Sequence, residues 1–211
     1  MYLCELGVSQ IKDFFNVVGS RVSVRRFRPD PLPDDAVRNV LWAATRAPTA
    51  GGRENWLFIV VKSEEVRKEI HKLLIESHIR YAIKISKMSP ERIEKWRRAM
   101  EEGMYLAPLY IAVYIDLRRL TSGGARDIND AEFIMEVQSA AAAMENAILA
   151  AWSLGIGSVW LGVPLLLEEE FNKLLKPPPD HKLMGILALG YPAEEPRTRN
   201  RKPVESVSIV I

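Results

Sequence analysis

The chain is poor in cysteine and glutamine, and it leans to neither sign of charge. One cysteine, Cys4, stands among 211 residues. No intrachain disulfide can form, and zinc sites built from several thiolates are excluded. Twenty-nine basic residues face 27 acidic ones, a net charge of +2. That balance argues against a nucleic-acid binder or a membrane-surface protein. The N-terminus carries an early acid, Glu5, and no basic region leading into an apolar run. No secretory leader is expected there, and the reducing cytoplasm is the expected compartment. Two glutamines, 13 prolines and abundant Lys, Arg and Glu match the composition of heat-adapted proteins. An unbroken hydrophobic span is missing too. Residues 147–167 carry no charge, but Gly155, Gly157, Gly162 and Pro164 interrupt them, Ser153 and Ser158 lie between, and Glu145 sits at the mouth. The stretch reads as the end of a buried helix, a turn and a buried strand, with no membrane span.

What is present is an ordinary globular composition, 48% hydrophobic and 27% charged, without internal repeat or low-complexity linker. One domain over residues 1–211 is expected. A first helix is predicted over residues 8–18, stopped at Gly19. Pro33 suits a first helical position, with Asp34 and Asp35 in the first turn. Val37, Val40, Leu41 and Ala44 then share a face, and Pro48 closes the segment. Residues 57–61 form an apolar strand, after which Ser63 caps a helix with Val66, Ile70, Leu73 and Leu74 on its apolar positions. Ser89-Pro90-Glu91 opens a charged helix that ends near Gly103. Further strands are predicted over 108–115, 157–162 and 183–189, a long helix over 129–154 and a short one over 167–175. The end, 206–211, alternates polar and apolar residues. Helices and strands mix without a regular βαβ order, so the fold class is α+β with a layered sheet.

Four segments carry candidate chemistry. In Arg21-Val22-Ser23-Val24-Arg25-Arg26-Phe27, an extended chain places Arg21, Ser23 and Arg25 on one face and Val22 and Val24 on the other. Two guanidiniums flanking a hydroxyl suit a phosphate. A solvated basic edge strand is the other reading of this spacing. Arg197-Thr198-Arg199-Asn200-Arg201-Lys202-Pro203 is a dense basic loop, which alone reads as a solvated tail and together with the first cluster as a second source of phosphate ligands. Residues 47–56, with Pro48, Thr49, Ala50, Gly51 and Gly52, offer either an ordinary glycine turn or a close backbone approach to a flat ligand. Residues 154–162 form a glycine-rich helix-to-strand passage that lacks the dinucleotide pattern.

The order and content of these segments resemble the FMN-dependent nitroreductase family over roughly residues 12–205. Arg21-x-Ser23-x-Arg25-x-Phe27 is similar to its opening arginine-serine-arginine signature. Ala47-Pro48-Thr49-Ala50-Gly51 leading to Trp56 and the strand is similar to its alanine-proline-serine loop. Glu145-Asn146-Ala147-Ile148-Leu149-Ala150-Ala151 followed by Leu154-Gly155-Ile156-Gly157-Ser158 resembles its central helix and flavin-facing turn. Leu189-Gly190-Tyr191-Pro192 with Arg199 and Arg201 resembles its closing segment.

The resemblance implies a central mixed sheet flanked by helices, an intertwined homodimer and FMN as cofactor. It implies that Arg21, Val22, Ser23, Arg25, Arg199 and Arg201 bind the FMN phosphate, ribityl chain or ring edge. Pro48, Thr49, Ala50 and Gly52 would approach the ring from the partner subunit, and Trp160, Leu161 and Gly162 would line it. Residues 205–211 would add a strand to the partner's sheet. Reduced nicotinamide, NADH or NADPH, would pass a hydride to the flavin, and a quinone or nitroaromatic would take the electrons in a ping-pong cycle. The flavin carries that chemistry, so neither a catalytic side chain nor a metal is expected. Relatives of this fold also imply reductive dehalogenation or flavin fragmentation as alternatives, and the basic clusters alone would suit a polyanion binder. At Gly52, Glu54 and Asn55 the chain departs from the family's asparagine, glutamine and proline. His71 and His78 on a charged helix read as solvated, His181 as a loop residue, and Trp96, Met100 and Met104 as packing or a pocket lid.

Overall fold

Leu109–Asp116 is apolar at nearly every position, and the fold accounts for this by burying all eight residues. A computed structural model of the chain describes residues 14–120, 126–198 and 200–211. In it, strand β1 (Trp56–Val61) pairs with β2 (Leu109–Asp116), β2 with β4 (His181–Gly190), and β4 with β3 (Gly157–Leu161). All three ladders are antiparallel. The parallel pairing expected of a mixed sheet is confined to one isolated bridge, Ser23 to Ser158. The register gives the reason: Val61 at the end of β1 lies opposite Tyr110 at the start of β2. The two intervening helices, α3 (Glu64–Lys84) and α4 (Pro90–Glu101), return the chain to the end it left, which makes the next strand antiparallel.

Alternation along β2 divides the core in two. Ile111, Val113 and Ile115 face one layer, with α2 (Asp34–Ala44) and α5 (Arg126–Ser153) supplying Val37, Val40, Met144 and Ile148. Tyr110, Ala112 and Tyr114 face the other, where α3 and α6 (Glu168–Leu175) supply Ile70, Leu74 and Phe171. A central strand covered on both sides reads as a continuous apolar run, and this is why β2 and β4 were recognisable. Edge strand β1 is half-buried over most of its length.

Local signals set the helix ends. The Ser63 hydroxyl accepts the Val66 N–H at 3.4 Å, and Pro90 occupies the first turn of α4. Pro33 lies just outside α2. Helix α1 (Phe14–Ser20) runs through Gly19, so the glycine does not stop it, and the predicted start of that helix falls outside the described residues. Val204–Ser206 make a single 3-10 turn, and the tail beyond joins no strand of this chain, with Val210 96% exposed. No helix among the described residues is long and apolar enough to cross a membrane.

The histidines of α3 correct an expectation. His71 and His78 are buried, not solvated. They share a helix face with Ile70 and Leu74, at the i, i+3, i+7 spacing of a core stripe. His71 Nε2 lies 3.0 Å from the Met104 carbonyl, and His78 Nδ1 lies 2.8 Å from the Leu74 carbonyl. His78 stacks on Tyr105 at 4.7 Å and meets the edge of Trp96 at 5.0 Å. The imidazoles thus join α3 to α4 and to the turn that follows it. Met100 is fully buried, and Trp96 and Met104 pack against the same core, so these side chains are packing. His181 begins β4.

Burial pushes both α3 imidazoles below their ordinary value. Below about pH 6.5 the unfolded chain therefore takes up protons that the folded chain refuses. The stabilisation is fully present above that pH and is lost as pH falls. Urea denaturation across this range is expected to show declining stability on acidification, and a flatter decline in His78→Phe, which keeps the ring stack. Equal stability of the wild type at pH 7.5 and 5, or so, would contradict this placement.

Candidate functional site

The Arg21–Arg28 segment is extended yet belongs to no named strand, and backbone hydrogen bonds tie it to β3, to the chain after β4 and to the turn after α4. The Val24 N–H donates to the Ser158 carbonyl at 2.9 Å, along the outer edge of β3. The Arg28 N–H donates to Tyr191 at 2.8 Å and the Ala193 N–H to Arg26 at 3.0 Å, just beyond β4. From the α4 side, the Tyr105 N–H donates to the Arg25 carbonyl at 2.7 Å. Val24 is driven into the core. Gly157 permits this close approach, since a Cβ there would stand 2.6 Å from a Val24 methyl. With Val24 inward, Arg21, Ser23 and Arg25 turn to one cleft, as alternation predicts. Val22 lines that cleft too, so it is not hidden on the opposite face.

The same anchoring brings in the other basic cluster. Phe27 bridges Pro192 antiparallel, so the chain leaving β4 starts beside the arginine segment. Arg197, Thr198 and Arg201 then line a cavity of about 510 Å³ with Arg21, Ser23 and Arg25. An adjoining cavity of about 910 Å³ shares Ser23, Arg25, Arg197 and Thr198 with it. Both volumes fall in the range of small-molecule sites. None of Arg21, Arg25, Arg197 and Arg201 forms an ion pair among the described residues. Arg25 Nη1 donates to the Ser23 carbonyl, at 3.2 Å. Four guanidiniums gathered on one cavity repel one another, and a bound anion relieves this. Two hydroxyls beside them complete a donor set suited to a phosphate. Arg199, the remaining arginine predicted for the site, lies outside the described residues.

Other predicted residues lie elsewhere. Pro48, Thr49, Ala50 and Gly52 do not line the arginine cavity. Their loop packs on α5, where the Ala50 N–H donates to Ser139 Oγ at 3.1 Å. Gly51 and Gly52 take φ of 56° and 66°, which a residue with a side chain adopts only at a cost. Arg53 Nε donates to Glu136 Oε1 at 2.7 Å, and Arg53 Nη1 is 3.5 Å from Glu132 Oε1. Glu136 is fully buried, so this loop is clamped by an ion pair in the interior. Asn55, at one departure from the family pattern, is also buried, with no hydrogen-bond partner for either end of its amide among the described residues. Trp160 and Leu161 end β3 and Gly162 follows it, all outside the arginine cavity; Leu161 is in the core and Trp160 is 38% exposed.

Glu145, Arg197 and Thr198 line the cavity and were not among the predicted binding residues. Arg197 and Thr198 lay within the basic loop. Spacing could not separate Arg197 from Arg199 and Arg201, because a loop has no period. For Glu145 the available signal was its position one helical turn before Leu149.

Comparison with known proteins gives a concordant picture. A protein-family model for the nitroreductase family matches residues 18–191. A putative NADH dehydrogenase/NAD(P)H nitroreductase of Archaeoglobus fulgidus is 29% identical over 88% of each chain. Human iodotyrosine deiodinase 1 is 25% identical over 97% of this chain and 70% of its own. The crystal structure of a BluB-like flavoprotein from Clostridium difficile superposes with a TM-score of 0.77 at 26% identity, covering 95% of this chain and 99% of that one.

The approach of Gly157 to Val24 gives a direct check on how the cleft is built. Gly157→Ala is expected to lose about 1–3 kcal/mol in chemical denaturation, because the overlap pushes out the Val24 anchor. Gly19→Ala, with nothing within 4 Å of the new methyl, is expected to be neutral or slightly stabilising. Equal behaviour of the two variants would contradict the packing described.

Proposed function

The chain belongs to the nitroreductase family, and on that premise we propose that it is an FMN-dependent oxidoreductase. In this reading it takes electrons from NADH or NADPH and passes them to a quinone, a nitroaromatic or a similar acceptor in a ping-pong cycle. The observation that carries the reading is the convergence of Arg21, Arg25, Arg197 and Arg201, none ion-paired among the described residues, on one cavity with Ser23 and Thr198. A phosphate monoester dianion fits that donor set. The similarity to a flavoprotein structure over 95% of the chain supports the same ligand.

Bound FMN would supply two-electron exchange with a nicotinamide and an acceptor. The protein's part is to hold and orient it. Arg21, Ser23, Arg25, Arg197 and Arg201 hold the phosphate end, with Arg199 assigned to the same group and Val22 forming wall. Trp160, Leu161 and Gly162 are assigned to the ring, joined by Pro48, Thr49, Ala50 and Gly52 of the partner subunit. This requires a homodimer. Its support is the exposed apolar surface of Phe14, Phe15 and Val18 on α1, Ile134 and Met135 on α5, and the tail from Val207 to Ile211. Residues 205–211 are assigned as the exchanged strand, and a cytoplasmic setting belongs to the same reading. No side-chain nucleophile or metal is assigned.

A second reading, flavin-dependent reductive dehalogenation, is favoured by the 25% identity with iodotyrosine deiodinase 1 along nearly the whole chain. Turnover separates the two: oxidation of NADH or NADPH with a quinone for the first, release of iodide from iodotyrosine for the second.

The purified protein is expected to show flavin absorption bands, or to gain them with added FMN. Arg25→Ala and Arg201→Ala are each expected to raise the FMN dissociation constant at least about tenfold, the effect of losing one charge-assisted hydrogen bond. Thermal stability of the cofactor-free protein should hold, because neither guanidinium is ion-paired among the described residues. A colourless protein with no saturable FMN binding would contradict the proposal.

A further inference from the structure

The arginine cavity has one acidic member among its described lining, Glu145. Its backbone is rigidly set. Helix α5 turns Met144, Ala147 and Ile148 into the core, and the neighbouring Asn146 side chain donates to the Ala43 carbonyl at 3.2 Å. Glu145 and Leu149, one turn apart, are thereby directed to the cavity. Four guanidiniums line the same cavity, yet Glu145 pairs with none of them; no ion pair of Glu145 occurs among the described residues. Its carboxylate is thus not tied up in a direct contact with the arginines of the described lining.

An ionised carboxylate only accepts hydrogen bonds. Facing a phosphate it opposes binding, whereas a ligand that brings neutral donors to it turns the same carboxylate to use. The cavity of about 510 Å³ has room for them. A phosphate group fills only a fraction of such a volume, leaving space for the chain that follows it. Hydroxyl groups on that chain are suitable donors, and a polyol monophosphate has both parts.

We propose that Glu145 is a specificity-determining residue that accepts hydrogen bonds from hydroxyls next to the ligand's phosphate, selecting a polyol phosphate over a bare phosphate anion. The proposal rests on reading the arginine cleft as the FMN phosphate site. It assigns opposite effects to one side chain, attraction for the polyol and repulsion for the phosphate.

The test compares FMN with inorganic phosphate on the full chain, the first by flavin fluorescence and the second by competition against FMN. Glu145→Gln is expected to weaken FMN about tenfold, the loss of a hydrogen bond to a charged acceptor. The same variant is expected to bind inorganic phosphate more tightly, because a like charge is gone. Glu194→Gln removes a carboxylate that lines only the adjoining cavity. It should shift both ligands in the same direction and leave their ratio unchanged. If Glu145→Gln tightens both ligands in parallel, Glu145 is only a charge at the mouth and the proposal is overturned. No change in either ligand overturns it as well. Wild-type protein that binds phosphate but not FMN overturns the flavin reading itself, an outcome distinct from the other two.

Discussion

The hydrogen bond from the Val24 N–H to the Ser158 carbonyl, at 2.9 Å, ties the start of the chain to the edge of its sheet. Around it, Ser23 bridges Ser158 and Phe27 bridges Pro192, so one short segment crosses from β3 to the end of β4. These strands are neighbours in an antiparallel sheet. Arg21, Ser23 and Arg25 are thereby brought to one corner with Arg197, Thr198 and Arg201. Arginines far apart in sequence meet there because the backbone has no other place to put them. Gly157, with room for no Cβ, is what lets the pairing close.

Around that corner the molecule treats charge in two ways. Where guanidinium and carboxylate serve the fold they are paired, as Arg53 is with Glu136 under the loop before β1, or Lys182 with Glu168 beside β4 at 2.9 Å. Arg26, adjacent to Arg25 in sequence, reaches the other way to Glu102 at the end of α4. In the cleft, Arg21, Arg25, Arg197 and Arg201 form no ion pair among the described residues. Holding like charges together is unfavourable by itself, and it is offset when a ligand brings the counter-charge. The α3–α4 side takes part as well: the turn packed by His78 through Tyr105 also donates the N–H that holds Arg25 in place.

The sequence disclosed those parts of the fold whose physics is local. β2 and β4 stand out as apolar runs because they are covered on both faces. α2 shows its face at Val37, Val40 and Ala44, and Ser63 announces the start of α3. The buried histidines were hidden by their own polarity: His71 and His78 lie at core spacing, but each counted as a solvated group until a carbonyl partner was in view. Antiparallel pairing throughout was also hidden, since the direction of a strand depends on where the intervening helices return it. In the site, Arg21, Ser23 and Arg25 were legible from alternation in an extended segment. Arg201 came from resemblance. Arg197, Thr198 and Glu145 depend on the path of a loop and on the rotation of a helix against it, which no spacing encodes. Pro48 to Ala50, Gly52 and Trp160 to Gly162, assigned to the ring by resemblance, do not line the arginine cavity within one chain.

The central claim is that the cleft exists to hold a phosphate. Riboflavin differs from FMN by that group alone, so the ratio of their dissociation constants isolates it. The wild-type protein is expected to bind FMN about a hundredfold or more tightly than riboflavin, the combined effect of two or more charge-assisted hydrogen bonds. In a variant with Arg21, Arg25, Arg197 and Arg201 all changed to alanine, the ratio should fall close to one. A ratio near one in the wild type, or a ratio that survives the loss of all four arginines, would contradict the account.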